Sequence, residues 1–280
     1  MPQIQPTLDH TVINVLGELD SISAQYKRLG FSLTDRGHHT LGSSNHLAIF
    51  GENYLELLGY EPGRGTERAD LWKHPAGLTG LVFKTDDALA VHAELADRGI
   101  PVENPAEFSR PVALPGGPQD AAFRVTRLGS ALVPNGRVFF CQHFTPELVW
   151  RDEWRQHPNG VVDIVEFYIA AIEPAKTAAL YQSIFGSESV TDVPGGHVLR
   201  AGRASVFFLT PAEINRHLTG IASMGQDGSD RMVGLTLKTR SLELVKQCVG
   251  SGRITGVQEL PDRVLIPNEQ AGGVALAFVE

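Results

Sequence analysis

The stretch GLVFKTDDALAVHAELADRGI, residues 80–100, has a second copy, GLTLKTRSLELVKQCVGSGRI, at residues 234–254. Six residues are identical at one constant spacing, and each copy has the pattern of a short strand that leads into a helix. A weaker similarity lies upstream, where three residues are identical at nearly the same spacing: Glu18, Ala24 and Tyr26 match Glu173, Ala179 and Tyr181. A repeat of this length indicates that one large unit has been duplicated, so a site in one half can be checked against the other.

The composition favours an ordinary globular protein with two domains. The chain has 280 residues, of which 42% are hydrophobic and 20% charged, enough for two sizeable cores. A net charge of −8 disfavours a nucleic-acid partner, since phosphate binding needs a basic face. Neither a signal-peptide pattern nor an apolar stretch of about 20 residues is present, so we expect no membrane partner. The two cysteines, Cys141 and Cys248, lie in different repeat units, which favours a reduced, cytoplasmic protein.

The first module reads as a strand, a helix and three further strands. β-branched residues predict the opening strand at His10–Val15, and an apolar stripe at helical spacing predicts a helix over Glu18–Leu29. Three strand-like runs follow at Phe31–Thr34, His46–Phe50 and Tyr54–Leu58, and a short turn joins the last two.

Similar elements recur in three more modules. The second module is predicted to hold a strand, a helix and two further strands, in this order: Leu81–Lys84, Asp87–Arg98, Ala122–Arg127 and Arg137–Phe144. The third and fourth modules follow between residues 161 and 280. We therefore predict one domain at 1–147, a linker at 148–159 and a second, degenerate domain at 160–280.

Three segments carry a family resemblance: LDHTVINV from Leu8, NHLAIFGENYLELLGY from Asn45 and CQHFTPELVW from Cys141. They resemble the glyoxalase-like branch of the vicinal oxygen chelate superfamily, and the resemblance extends over essentially the whole chain. It implies an α+β fold of four βαβββ modules, paired into two domains with curved, mostly antiparallel eight-stranded sheets. In the superfamily's enzymes, the first and last strands of each module also carry the metal ligands.

Alternation along the strands places His10 and Glu56 on the cavity side of the first domain. His10, Val12 and Asn14 share one face of the opening strand, and Glu56 lies mid-strand between apolar neighbours. A buried carboxylate is costly unless it is paired or binds a cation. His10 and Glu56 fall on ligand positions of the family, which implies Zn, Fe, Mn or Ni; without a metal they would form a hydrogen-bonded pair.

The remaining ligand positions are less complete. Gly80 occupies one of them and has no side chain, and the other falls on Gln142 or His143, of which Gln142 aligns better. The predicted metal ligands are therefore His10, Glu56 and Gln142, with Glu56 also the catalytic base. The predicted substrate-binding residues are the following: Asn14, His46, Tyr54, Phe140 and His143. His38 and His39 are expected in a solvated loop. Arg124 and Arg127 lie on a predicted strand, where either could meet an anionic substrate, but both are expected at the surface.

The duplicated half lacks this polar set at the matching sequence positions. At the repeat spacing Val165 replaces His10 and Phe208 replaces Glu56, so the second domain is predicted to be structural. Glu166, next to Val165, is interpreted as a surface residue.

Two functions fit these observations. The first is a metal-assisted enzyme, of the lyase, isomerase or dioxygenase type, acting on a small molecule with adjacent oxygen atoms. The second is a metal-free small-molecule binding protein of the bleomycin-resistance type, with Trp150 and Trp154 near the cavity rim. The duplication is compatible with a monomer or a homodimer.

Overall fold

A computed structural model describes residues 4–219 and 228–280. The first sheet consists of β1 (Leu8–Leu16), β2 (Gly37–His38), β3 (Ser44–Ile49), β4 (Tyr54–Gly59), β5 (Gly77–Lys84), β6 (Ala106–Val112), β7 (Gln119–Arg127) and β8 (Arg137–His143). The helices that accompany it are α1 (Leu19–Arg28), α2 (Ala69–Trp72) and α3 (Ala88–Asp97).

The second sheet consists of β9 (Val161–Ala170), β10 (Val190–Val193), β11 (Gly196–Ala201), β12 (Ala204–Leu209), β13 (Arg231–Thr239), β14 (Gln258–Glu259), β15 (Val264–Ile266) and β16 (Ala275–Val279). Its helices are α4 (Pro174–Phe185), α5 (Pro211–Leu218) and α6 (Leu242–Gly252). None of the helices in the described ranges has both the length and the apolar character needed to cross a membrane.

The two sheets have the same topology. Their strand orders are β2-β3-β4-β1-β5-β8-β7-β6 and β10-β11-β12-β9-β13-β16-β15-β14. In each module the first strand pairs in parallel with the last, and the two modules of a sheet meet through antiparallel first strands. The α+β fold of four paired βαβββ modules is therefore confirmed.

Two sequence predictions at the edges of the first sheet differ from the structure. Phe31–Thr34 is not a strand; Phe31 is buried because its ring packs on Tyr26 and Phe50, with centroid distances of 5.4 and 6.3 Å. The edge strand β6 was not predicted, because Pro111 lies within it, and proline is tolerated only at sheet edges and bulges.

The largest apolar cluster lies between the two sheets and contains side chains from α1, α3, α4 and α6. Polar contacts cross the same region: Asn53 exchanges two hydrogen bonds with the backbone of Ile164, at 3.0 and 3.1 Å, and the Tyr26 hydroxyl donates to the Ala271 carbonyl. Two smaller clusters lie on the other faces of the sheets. The first of these surrounds the candidate site.

Candidate functional site

The inner face of the first sheet encloses a cavity of about 50 Å³, which has room for an ion with a few waters or a very small ligand. Apolar side chains form much of its wall. Its polar and titratable lining residues are the following: His10, His39, Ser43, Asn45, Tyr54, Glu56, Arg68, Arg110, Arg127, Arg137 and Cys141.

His10 is fixed by its neighbour Asp9. The pairing of β1 with β5 shifts between Leu8 and His10, which leaves Asp9 as the extra residue of a bulge. Asp9 Oδ2 lies 2.6 Å from His10 Nδ1, and the ring of Tyr54 stacks on the imidazole at 4.3 Å. A carboxylate at Nδ1 holds the proton there, so the lone pair of Nε2 is directed into the cavity.

Asp9 stays ionised although it is fully buried. Burial raises its pKa, but the nearby His143 and the hydrogen bonds from His10 and His143 outweigh burial and hold the pKa well below its usual range. Asp9 Oδ2 is 3.0 Å from His143 Nε2, so one carboxylate oxygen joins two imidazoles. Sequence reasoning missed Asp9, since regular alternation places it on the opposite face from His10.

Glu56 lies between two imidazoles. Its Oε2 is 3.8 Å from His10 Nε2, and its Oε1 is 3.8 Å from His39 Nε2. Burial raises the pKa of Glu56, but His39, His10 and a 2.6 Å hydrogen bond from Asn45 Nδ2 to Oε1 lower it below the usual value. Glu56 therefore presents an ionised carboxylate to the cavity.

His39 was expected in a solvated loop, but it is largely buried beside Glu56. It follows the two-residue strand β2, and its Nδ1 is 2.9 Å from Ser43 Oγ. Asn45 Nδ2 lies 3.3 Å from His39 Nε2, which leaves that nitrogen as the acceptor. Burial lowers the pKa of His39 to about 4, so the ring is neutral at pH 7. No local sequence signal distinguishes His39 from its solvent-exposed neighbour His38.

The predicted orientation of Gln142 is wrong. Strand β8 is regular, and Arg137, Phe139 and Cys141 face the cavity. Gln142 points to the opposite side, where it donates to the Asp86 carbonyl at 2.6 Å and accepts from Ala88 N at the start of α3.

Phe140 and His46 also lie on the opposite faces of their strands from the cavity. Phe140 packs on Phe83 and Phe185 in the core between the sheets. His46 Nδ1 is 2.8 Å from the Thr34 carbonyl oxygen. Neither side chain reaches the cavity, so their prediction as substrate-binding residues is wrong.

Asn14 and His143 lie close to the site without lining it. Asn14 Nδ2 donates to the His74 carbonyl at 3.1 Å, and this hydrogen bond anchors the segment before β5. His143 packs between Asp9 and Trp150, whose ring centroid is 4.7 Å from the imidazole. Of the five predicted substrate-binding residues, Tyr54 is the one that lines the cavity within the described chain.

Strand β5 supplies no donor at its ligand position. A Cβ atom at Gly80 would lie 2.5 Å from the Cβ of Val12, so no side chain fits there without a shift of β1. The family's second first-strand ligand therefore has no counterpart at this position, and His39 is the additional imidazole that approaches Glu56.

Two sets of residues have the chemistry of metal ligands. In the first, His10 Nε2, His39 Nε2 and the Glu56 carboxylate line the cavity, and a partner on Nδ1 orients each imidazole. Donors 3.8 Å apart fit on one ion, because ligand distances to Zn²⁺ are about 2.0–2.2 Å. A 2-His-1-carboxylate set suits a catalytic ion with open coordination positions. Each histidine of this first set approaches a different oxygen of Glu56, and among the described residues its three members do not form a group with all ligand atoms within 4.8 Å of one another.

The second set is Asp9, Cys141 and His143, whose candidate ligand atoms lie within 4.8 Å of one another. Asp9 Oδ1 and His143 Nδ1 are buried without a hydrogen-bond partner. Burial, Asp9 and Glu56 raise the pKa of the Cys141 thiol well above its usual value, which keeps it protonated. Of this set only Cys141 lines the cavity, so an ion there would be less accessible to substrate.

The second sheet has a different inner face. Gly80 and Gly234 are matched by the repeat, and the strand register aligns His10 with Glu166 and Glu56 with Phe207. These assignments replace Val165 and Phe208, because the bulge in β1 has a counterpart in β9. Glu166 is half-buried and accepts a 2.6 Å hydrogen bond from the Tyr168 hydroxyl, so its interpretation as a surface residue is wrong.

Helix α5 fills the space that remains open in the first sheet. Ile214 and Leu218 are completely buried and pack with Tyr168, Leu209 and the adjacent strands. The corresponding segment after β4 forms only the four-residue helix α2. This difference in helix length supports a structural role for the second sheet.

Comparison with known proteins identifies the fold and the family. A family model described as a glyoxalase-like domain matches residues 8–185, a range that contains the whole first sheet together with β9 and α4. No protein with a curated functional description matches the sequence.

Solved structures with the same fold have low sequence identity to this chain. A hypothetical protein from Staphylococcus aureus has a TM-score of 0.67 at 14% identity, and the match covers 97% of this chain and 98% of that one. A mutant of 4-hydroxymandelate synthase from Streptomyces coelicolor has a TM-score of 0.55 at 12% identity, with 100% and 93% covered. A fusion of a xylose isomerase-like TIM barrel with 4-hydroxyphenylpyruvate dioxygenase has a TM-score of 0.56 at 13% identity, with 99% and 49% covered.

Proposed function

The chain belongs to the glyoxalase-like domain family, and from that premise we propose that its first sheet forms the active site of a metal-assisted enzyme. The substrate is a small molecule with two adjacent oxygen atoms, and the reaction is of the lyase, isomerase or dioxygenase type. The observation that carries the proposal is the placement of His10 and His39 on the two oxygens of Glu56, each at 3.8 Å. The names of two matched structures, a synthase and a dioxygenase, are consistent with an enzyme of this kind.

Each residue of the proposed site has a separate role. His10, His39 and Glu56 would hold the ion, which would supply Lewis-acid stabilisation of negative charge on the substrate oxygens. Asp9 keeps the His10 proton on Nδ1, and Tyr54 stacks on the ring and fixes its plane. Asn45 holds Glu56 Oε1, while Oε2 has no hydrogen bond from the described chain and is the atom that accepts a proton from the substrate.

Metal analysis tests the proposal directly. Protein produced without a His tag is loaded separately with Zn²⁺, Mn²⁺, Fe²⁺ and Ni²⁺, dialysed, and analysed by plasma mass spectrometry. We expect about one ion per chain in the wild type, and loss of that ion in His10→Ala, His39→Ala and Glu56→Ala. His92→Ala, on helix α3 and away from the cavity lining, is the control and retains the ion.

The same series separates the two candidate ligand sets. If Cys141→Ala and His143→Ala lose the ion while His39→Ala keeps it, the metal lies at the second set and the assignment of His39 is wrong. If no wild-type sample holds an ion after loading, the metal-assisted enzyme is excluded. The site is then a hydrogen-bonded cavity.

The alternative function is a metal-free binding protein, and the absence of a donor at Gly80 favours it. Trp150 provides its test, because the indole contacts Tyr54 and His143 with centroid distances of 5.8 and 4.7 Å. A small-molecule screen that changes tryptophan fluorescence in metal-free protein, without turnover of the bound compound, would support this function.

We also propose a cytoplasmic protein, monomeric or homodimeric, whose partner is a small molecule rather than nucleic acid or a membrane. Both cysteines, Cys141 and Cys248, are free thiols, which supports a reducing compartment. Size-exclusion chromatography with light scattering distinguishes the monomer from the dimer.

A further inference from the structure

The wall of the cavity is strongly cationic. Four arginines line it, namely Arg68, Arg110, Arg127 and Arg137, against one carboxylate, that of Glu56. Arg68 is paired with Asp70, at 2.9 Å. None of the other three forms an ion pair within the described residues. Glu56 acts on Arg110 and Arg137, and Glu103 acts on Arg127, so the lining keeps an excess of positive charge.

Arg127 and Arg137 approach the same aromatic ring. Their guanidinium carbons lie 5.8 and 5.6 Å from the centroid of Phe139, and neither side chain forms a hydrogen bond with the described chain. Burial, together with Arg127, lowers the pKa of Arg137 to about 10, so both groups remain charged at neutral pH. Two like charges, each half-buried, are thus held close together.

Arg110 is the most deeply buried of the three. Its side chain comes from the edge strand β6, the residue is 3% exposed, and its Nη2 has no hydrogen-bond partner. A buried donor without a partner costs about 1–3 kcal/mol, and more when the group is charged. An oxyanion bound in the cavity would give this donor a partner.

One row of paired residues across the sheet runs from the proposed ligand Glu56 to Arg137. The strand register places Glu56, Val12, Gly80 and Arg137 side by side on four neighbouring strands. The side chain of Val12 occupies the space over Gly80, so Glu56 and Arg137 line the cavity on either side of an apolar strip.

We infer that the cavity recognises a small substrate that carries an oxyanion, a carboxylate or a phosphate, held by Arg110, Arg127 and Arg137. The inference rests on the proposed function, in that the reacting oxygens of the same substrate face His10 and Glu56. Guanidinium groups bind both kinds of oxyanion through paired hydrogen bonds. The negative charge of the substrate also offsets the repulsion between the arginines and a divalent ion in one cavity.

The test measures protection by simple oxyanions. Metal-free protein, dialysed free of chelator, is melted with malonate, with inorganic phosphate, and with malonamide as the neutral analogue of malonate. We expect malonate or phosphate to raise the melting temperature of the wild type and malonamide to leave it unchanged. The anion that protects at the lower concentration identifies the carboxylate or the phosphate as the recognised group.

The variants Arg110→Met, Arg127→Met and Arg137→Met are expected to lose this protection. Arg124→Met is the matched control: Arg124 lies on β7 like Arg127, but on the opposite face, and pairs with Glu107. Far-UV circular dichroism verifies that each variant is folded, and if Arg110→Met fails this check, the other two variants decide. Equal protection of the wild type and Arg137→Met, or no protection by either anion, overturns the inference.

Metal content, measured on separate samples of the same proteins after metal loading, separates this inference from the proposed function. Anion protection without a bound ion in loaded protein would overturn the metal-assisted enzyme and leave the oxyanion site. A bound ion without anion protection would overturn the oxyanion site and support the metal-assisted enzyme.

Discussion

At the scale of single residues, the most consequential contact is the one between Asp9 and His10. A carboxylate on the far nitrogen of a ligand histidine fixes its tautomer and raises its basicity. Asp9 Oδ2 also accepts from His143, so removal of its charge affects two imidazoles. The Asp9 side chain therefore controls which form of His10 faces the cavity.

We predict that Asp9→Asn weakens metal binding by about 10–100-fold, because an amide of the same shape does not hold the His10 proton on Nδ1 as a carboxylate does. Competition with a chromophoric chelator at fixed pH measures the dissociation constant. Gln142→Glu is the control, since Gln142 lies on the opposite face of β8 and contacts only the start of α3. An unchanged dissociation constant in Asp9→Asn would contradict the role of Asp9.

The sequence was informative about residues on regular strands and failed where regularity ends. Alternation correctly placed His10, Tyr54 and Glu56 on the cavity side. It missed Asp9, because a bulge puts two successive side chains on one face, and a bulge has no reliable sequence signal. It also missed His39, which only the three-dimensional path of a loop brings to Glu56.

At the scale of elements, the two sheets differ most in the helix that follows the fourth strand of each. Helix α2 has four residues and leaves the first cavity open, whereas α5 has eight and fills the second sheet. Thr210 caps α5 by accepting from Glu213 N, and Pro211 occupies its first turn, which are the signals of a helix start. These signals can be recognised in the sequence, but the face on which α5 packs cannot.

We predict that Ile214→Ala destabilises the protein by about 2–5 kcal/mol, since the residue is completely buried and its removal leaves a cavity beneath α5. The midpoint of urea unfolding measures the loss. Leu89→Ala on α3 is the control, because Leu89 is half exposed, and its truncation changes stability by about 0.5 kcal/mol or less. A similar effect of the two substitutions would mean that α5 is not part of the second core.

At the scale of the whole molecule, the repeat in the sequence predicted a duplicated unit, and the family resemblance supplied the pairing of four modules into two sheets. The two sheets of the structure have that order. The sequence did not show how the halves join. The helices of both sheets share one apolar core, and the segment between β8 and β9 contributes His157 to this junction.

His157 connects the segment before β9 to the first sheet through both ring nitrogens. Ser32 N donates to its Nδ1 at 3.0 Å, and its Nε2 donates to the Ile49 carbonyl at 2.8 Å. Only the neutral ring can accept at one nitrogen and donate at the other. Burial lowers the pKa of His157 below its ordinary value of 6.5; Arg240 acts in the same direction, and the Ile49 carbonyl opposes it.

The folded state therefore binds fewer protons at His157 than the unfolded state does. For a histidine whose folded pKa is lowered, the stabilising contribution is complete above the unfolded pKa of 6.5 and is lost as the pH falls below it. We predict that the difference in unfolding free energy between the wild type and His157→Gln is largest near pH 7.5 and shrinks towards pH 5. Urea titrations across this range measure the difference, and subtraction of the variant removes the contributions of the other histidines. A difference that stays constant with pH would show that His157 is not held in the neutral form by the junction.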